Sequence, residues 1–507
     1  MKKLIILIIG LLVLGSACKK DFLNVDETNP NSASAVPANL VLPAALNSVA
    51  ELMDQPDNYN FVYLWHGLWS ISNSYIPPTN LTQYNLLNSS YQGIWDNSYL
   101  ALQNFDYVEQ ASLASSQKNF RAIAIIMKAY LFHNLVDCYG NIPYSQALKG
   151  SGAGQNLKPA YDPQQSVYED LAIRIDTAIN LIQKASASDA AVGSADIIYQ
   201  GDMGKWAKFA NTIKLRILIN QADMTGRTAY ISGALATTAS VGYIGAGEGA
   251  MLNPGYLQTA NKMNVFWENF FKQDGSVQSG GLDYYVSNQD ACTFLTVNND
   301  PRKLRIFQPY TGTSVQGNYF GGYVLLSVPN TSKLGFGMLQ GYNQSSPILT
   351  DIESLFLQAE AVQRGIITTG DAKALYESAV TQSILFFGQK STLDPSSYVP
   401  LTAADAATYL AQVKPLVNFD ASPNKIQAII TQKWIALNGI NPMPIWTDYR
   451  RTGFPDFIHF SIDASRLSDI PPVRLLYPQT EITANNDNVQ LQGTISLTDS
   501  KIFWQNR

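Results

Sequence analysis

Residues 350–380 read TDIESLFLQAEAVQRGIITTGDAKALYESAV, and two helices can be read in them directly. Thr350 followed three residues later by Glu353 is the pattern of a capping box, in which each side chain bonds the other's backbone N–H. Leu355, Phe356, Ala359 and Val362 then recur at helical spacing, and Gly365 supplies a stop. Asp371 is an N-cap for the next helix, with Leu375, Ala379 and Val380 on its inner face. Two short amphipathic helices joined by a tight connection bury each other only in part. They need neighbours.

Working outward, the same pattern recurs along the chain. In 119–137 the stripe is Ile123, Ile126, Met127, Tyr130, Leu131 and Leu135. Asp162-Pro163 is expected to cap a helix over 164–184, with Val167, Leu171, Ile175, Ala178, Ile179 and Ile182 inward. Further helical patterns cover 37–54, 91–114, 204–222, 228–239, 403–414 and 424–439. They pair as 37–54 with 91–114, 119–137 with 164–184, 204–222 with 228–239, and 350–364 with 371–386. Stacked pairs of this kind resemble tetratricopeptide arrays, although no strict 34-residue period is present. The expected fold class is mainly all-α. Long Gly-, Asn-, Tyr- and Pro-rich segments at 240–347 and 441–507 are expected to form a loop-rich side, and loops of that length are usually functional.

The 34 basic and 39 acidic residues give a net charge of −5, and only 14% of the chain is charged, against roughly 25% in ordinary soluble proteins. Nucleic-acid binding requires clustered Lys and Arg, so that class is excluded. With 46% apolar and 11% aromatic residues the chain is not disordered, and its polar surface must rest largely on amides and hydroxyls, which suits neutral ligands. Length alone allows about three domains at roughly 150 residues each.

Lys2 and Lys3, the apolar run Leu4–Leu14 and the small residues Gly15-Ser16-Ala17 form a secretory signal over residues 1–17. The run is shorter than the roughly 20 residues that span a bilayer. Cys18 at the break resembles the lipidated cysteine of a bacterial lipoprotein, although Leu14 lies one position early for the usual pattern. Lys19-Lys20-Asp21 resembles a surface-export tract. Cleavage leaves 507 − 17 = 490 residues and 32 basic against 39 acidic groups, a charge of −7. A tether over 18–36 and a single domain over 37–507 follow as the expected organisation. Cys138 and Cys292 are too few for a disulfide framework and read as buried free thiols.

No HExxH, GxSxG, Walker A or dinucleotide motif is present, and His66, His133 and His459 are far apart. His133 falls in a helical stripe and reads as structural. No cofactor is expected, and a structural Ca²⁺ stays open. Two aromatic clusters carry more. Tyr59, Phe61, Tyr63, Trp65, His66, Trp69 and Tyr75 lie within seventeen residues, interleaved with Asn60, Ser70, Asn73 and Ser74. Phe61, Trp65 and Trp69, four apart, would line one helical face, and a core stripe is the plain reading of that spacing. Trp beside amides is also the chemistry of a sugar platform, since a pyranose offers apolar C–H faces and a rim of hydroxyls. Asn264, Trp267, Asn269, Phe270, Asp283, Tyr284 and Tyr285 form a second group within the long loop segment.

Four segments carry a family resemblance. They are Arg121–Leu148 (RAIAIIMKAYLFHNLVDCYGNIPYSQAL), Glu353–Val380, Ile429–Pro455 (IITQKWIALNGINPMPIWTDYRRTGFP) and RLLYPQTEITANNDN within Pro472–Asn488. Together they resemble the SusD/RagB family of nutrient-binding outer-membrane lipoproteins, in its second SusD-like branch. Arg450 and Arg451 of the third segment are expected to pair with carboxylates such as Asp448 or Glu481. The resemblance implies four tetratricopeptide-like helix pairs packed against loops, lipid anchoring in the outer membrane of a Gram-negative bacterium, and no catalysis. It also implies a partner, a SusC-like TonB-dependent β-barrel transporter, with this chain as its hinged lid. Site residues are candidates by location and chemistry: Trp65, Trp69, Asn73, Tyr75, Asn264, Trp267 and Tyr284. A neutral glycan is the leading ligand. A peptide ligand, an α-helical glycosidase and a scaffold without small ligand are the other readings.

Overall fold

The computed structural model describes residues 36–113, 116–151, 154–322 and 326–505. The expected signal peptide over 1–17, Cys18 and all but the last residue of the tether lie outside them.

Twelve helices carry the argument: α1 (Ala38–Asp54), α2 (Pro56–Trp65), α3 (Gln92–Ala111), α4 (Lys118–Tyr139), α5 (Gln164–Gln183), α6 (Met203–Ile219), α7 (Thr228–Ala236), α8 (Asp351–Gln363), α9 (Ala372–Phe387), α10 (Lys425–Ala436), α11 (Pro442–Thr452) and α12 (Gln479–Gln490). The four expected pairs, α1/α3, α4/α5, α6/α7 and α8/α9, all pack, and α3/α4 and α5/α6 pack in turn to join them. The fold is mainly α. Among the described residues six short strands form three separate two-stranded antiparallel ribbons: β1 (Trp69–Ile71) with β5 (Tyr285–Ser287), β2 (Ile142–Pro143) with β3 (Tyr161–Asp162), and β4 (Ala250–Leu252) with β6 (Ser346–Leu349). Buried side chains from Ala38 to Trp504 form one contiguous core, with a smaller cluster where α6, α7 and α8 meet.

The caps behave as the sequence suggests, with two changes. Thr350 Oγ1 accepts from the Glu353 backbone N–H at 3.2 Å, and Asp371 caps α9 through the N–H groups of Lys373 and Ala374. The reciprocal half of the box is missing because Glu353 is fully buried and faces Arg216 at 2.6 Å and Asn441 at 3.1 Å. Asp162 lies in β3 rather than capping α5. Its carboxylate accepts from the N–H groups of Tyr144 (3.0 Å) and Ser145 (2.8 Å), so it holds the turn after α4.

The two arginines of the DYRR segment divide their roles. Arg451 forms a bidentate pair with Glu360 (2.5 Å to each oxygen) and a contact to Asp448 at 2.8 Å, and Lys433 adds 3.0 Å to Asp448. Burial alone would raise the Glu360 carboxyl, but Arg451 and Arg364 outweigh it and hold it down to about 2. Arg450 departs from the expected carboxylate pairing. It donates to the backbone carbonyls of Asp137 and Val473, both at 2.7 Å, and lies between the rings of Trp446 (3.8 Å) and Trp504 (4.9 Å). Glu481 instead accepts from Tyr161 and Asn485. Cys138 and Cys292 are buried free thiols, and His133 is buried with Nε2 3.4 Å from Asp137.

Candidate ligand-binding site

The β1–β5 ribbon joins the two aromatic clusters, which are about 200 residues apart in sequence. Trp69 pairs with Ser287, Ser70 with Val286 and Ile71 with Tyr285. Ser72 extends the contact, its N–H donating to the Tyr284 carbonyl at 3.1 Å and its hydroxyl to the Asp283 carbonyl. Beyond it the chain turns outward, leaving Asn73 and Ser74 exposed and Tyr75 half-buried.

At that turn the rings of Tyr75 and half-buried Tyr284 meet edge to face, with centroids 5.0 Å apart and planes at 71°. Tyr284 also packs at 4.7 Å against Tyr285, which is held from below: Asn60 Nδ2 donates to the Tyr285 hydroxyl at 2.6 Å, and the Tyr91 hydroxyl donates to Asn60 Oδ1 at 3.0 Å. Tyr91 takes φ of +58°, a left-handed conformation that bulky residues rarely adopt. Conformations of this sort concentrate at ligand sites, where packing fixes them. Burial, with Asp57 adding to it, raises the hydroxyl pKa of Tyr284 and Tyr285, so both phenols stay protonated and can donate as well as accept. At the rim, Lys333 pairs with Asp283 at 2.6 Å, both partly exposed. The Asn73 amide has no partner among the described residues. The result is two aromatic edges, an exposed amide and an ion pair around one surface corner.

The other candidates lie inside the fold. Trp65 is fully buried against Phe61 and Tyr84, and its indole N–H donates to the Leu81 carbonyl at 3.2 Å. Trp69 is fully buried, stacked on Tyr63 at 4.3 Å, with Nε1 donating to Asn438 Oδ1 at 2.7 Å. Trp267 is buried and stacks on Phe271 at 4.4 Å. Asn264 is the N-cap of the turn Val265–Glu268: its Oδ1 accepts from Trp267 N at 3.0 Å, and its Nδ2 donates to Asp54 and Ser346. All four are buried, and none of the three tryptophans offers a ring face to solvent. The expected helical face Phe61–Trp65–Trp69 is also interrupted. α2 ends at Trp65, Gly67 takes φ of +70°, and Trp69 begins a strand. A side chain at Gly67 would meet Ile458 at 3.0 Å and Asp290 at 3.1 Å, so glycine is needed there on both counts. Asn73, Tyr75 and Tyr284 are the candidates that reach the surface together. Tyr91 and Lys333 were missed, because only the tertiary fold brings them to this corner.

Residues 30–478 match a SusD-like family described as starch-binding and associating with the outer membrane. The chain belongs to the SusD-like family. The family is one of binding proteins rather than enzymes. Among solved structures, the chain is similar to a chitin-binding protein (23% identity, TM-score 0.74, covering 93% of this chain and 100% of that one). It is similar to a SusD-like protein from Bacteroides thetaiotaomicron (22%, 0.73, 93% and 99%) and to a chitin-binding SusD homologue from Flavobacterium johnsoniae (22%, 0.72, 91% and 98%). At these identities the likeness establishes the SusD-like helical fold. No curated protein matches the sequence. Among the described residues of this SusD-like chain, no helix is long and apolar enough to cross a membrane, and no group of three or more His, Cys, Asp or Glu is placed to hold a metal ion.

Proposed function

We propose that this SusD-like chain is a lipoprotein, anchored through Cys18, that binds a neutral oligosaccharide at the Tyr75–Tyr284 corner and delivers it to a SusC-like TonB-dependent barrel. In this reading residues 37–507 act as one domain, the lid of that transporter, behind a tether over 18–36. The observation that carries the ligand class is the corner itself. Two protonated tyrosines set edge to face, with Asn73 exposed beside them, match the apolar face and hydroxyl rim of a sugar ring. Two related structures that bind chitin support a glycan over a peptide. Aromatic contacts of this kind contribute about 0.5–1.5 kcal/mol each beyond area burial, so affinity per sugar is modest and longer chains bind better.

The test is a titration of neutral oligosaccharide pools and of peptide pools by calorimetry, on the wild-type protein and on Tyr75→Ala/Tyr284→Ala. A glycan should bind the wild-type protein and bind the double variant at least about tenfold more weakly, with the fold intact. Binding of oligosaccharides longer than two rings that is indifferent to both tyrosines, or binding of peptides alone, would overturn the assignment. A barrel transporter co-purifying from outer membranes is the expected companion result.

A further inference from the structure

A cavity of about 490 Å³ includes none of Asn73, Tyr75 and Tyr284 in its lining. It lies where the last residue of α1 (Asp54), the start of α8 and the last turns of α9 converge under the loop 338–345. Protein interiors hold few voids larger than a water molecule, and a volume of this size falls within the roughly 300–1,000 Å³ of small-ligand pockets.

Its amides fall into two sets. Gln340 and Gln344 build the wall. Gln344 Oε1 accepts from the Gln340 N–H at 2.8 Å, and Gln340 Nε2 donates to the carbonyls of Gly337 (3.0 Å) and Phe386 (3.1 Å). Asn343, Gln382 and Gln389 line the same cavity, and among the described residues their side chains have no hydrogen-bond partner. Met251, Phe266, Met338, Leu385 and Phe386 supply apolar lining. Two carboxylates complete the lining, Asp54 and Asp351. Asp54 is fixed deep in the wall by Asn264 Nδ2 at 2.9 Å, and Asp351 accepts from the Gly247 N–H at 2.7 Å. No lysine, arginine or histidine lines the space. Burial raises the pKa of both carboxyls, Asp54 to about 6, with Ser346 and Asn264 opposing the rise at Asp54.

This lining repels anions and is rich in acceptors and amides. Among the described residues it leaves three lining amides without partners, Gln382 half-buried and Asn343 and Gln389 exposed. We infer that the cavity is a second binding site, for a neutral, hydroxyl-rich ligand of one to two sugar rings, independent of the surface corner. Hydroxyls can donate to carboxylate and amide oxygens while accepting from amide N–H groups, and ring C–H faces can pack on Phe266 and Phe386. Uronic acids are excluded by the absence of any cation.

The experiment uses the full chain and a named panel: maltose, cellobiose, lactose, N,N′-diacetylchitobiose and, as the anionic control, digalacturonate. Binding is read by saturation-transfer NMR and calorimetry on four proteins. These are the wild type, the corner variant Tyr75→Ala/Tyr284→Ala, the cavity variant Asn343→Ala/Gln382→Ala, and Gln382→Trp, which fills the cavity from a half-buried position. At least one neutral disaccharide should bind the corner variant as it binds the wild type. The same disaccharide should lose about tenfold or more in both cavity variants, with melting temperatures unchanged. Digalacturonate should not bind the corner variant. If no neutral disaccharide binds, if the corner variant loses all binding, or if the cavity variants bind as wild type, the space holds only water and the inference fails. The corner is read separately, with neutral oligosaccharides longer than two rings: if those too bind indifferently to Tyr75 and Tyr284, the corner assignment falls and this one stands.

Discussion

The β1–β5 ribbon has an inner end and an outer end, and the two use the same residue types for opposite purposes. At the inner end Trp69 is enclosed, as are Tyr285 at the other end of the ribbon and Asn264 outside it, and each has a protein partner: Trp69 Nε1 on Asn438, the Tyr285 hydroxyl on Asn60, Asn264 on Asp54 and Ser346. At the outer end Tyr75 and Tyr284 keep an edge at the surface, and the Asn73 amide is left for solvent or ligand. An aromatic beside an amide is therefore ambiguous until the acceptor is known. Where the protein supplies it the pair is core, and where it does not the pair is available for recognition.

The comparison breaks most visibly at Trp69. Replacing it with Ala removes a fully buried ring and strands Asn438, and should cost about 3–5 kcal/mol in urea unfolding. Any binding defect in Trp69→Ala should therefore track loss of fold. A stability loss under about 1 kcal/mol would show that the inner end is not core.

A second, somewhat smaller effect concerns Asp54. Burial raises its folded pKa from 3.8 to about 6, so between these values the native state binds more protons than the unfolded chain. Stability is then favoured by Asp54 at low pH, falls as pH rises from about 4 through 6, and flattens above, a change on the order of 2–3 kcal/mol. Asp54→Asn should remove that decline in a pH series of denaturant melts. An unchanged slope would assign the titration elsewhere, Asp137 being the other buried carboxyl raised to about 6.

The smallest stability effect belongs to the outer end. Tyr75→Ala should change unfolding free energy by about 1 kcal/mol or less, as surface positions do, while weakening glycan binding. A loss comparable to that of Trp69→Ala would erase the distinction between the two ends.

Much of the fold was legible because helices advertise themselves locally. Thr350, Asp371 and Gly365 act as the spacing implied, and all four helix pairs pack. The site was legible only in part. The clusters at 59–75 and 264–285 do meet, but the break at Gly67 depends on contacts with Ile458 and Asp290, which no local pattern contains. Asn264 reads equally well as a ligand group and as a helix cap, and only the short turn after it decides. Tyr91 and Lys333 reach the corner through tertiary packing, and no spacing could have put them there.

The place where Arg450 sits between Trp446 and Trp504 has a kinetic side. Trp504 Nε1 also reaches Asp137 at 3.2 Å, closing a contact across 367 residues, whereas the helix pairs close over a few tens. Loop-closure entropy grows with separation, so hairpins such as α4/α5 can assemble early, while the Trp504–Asp137 contact carries the larger closure cost. The segment carrying Trp504 acts as a latch, closing on Asp137 of α4 and on Arg450 of α11 together.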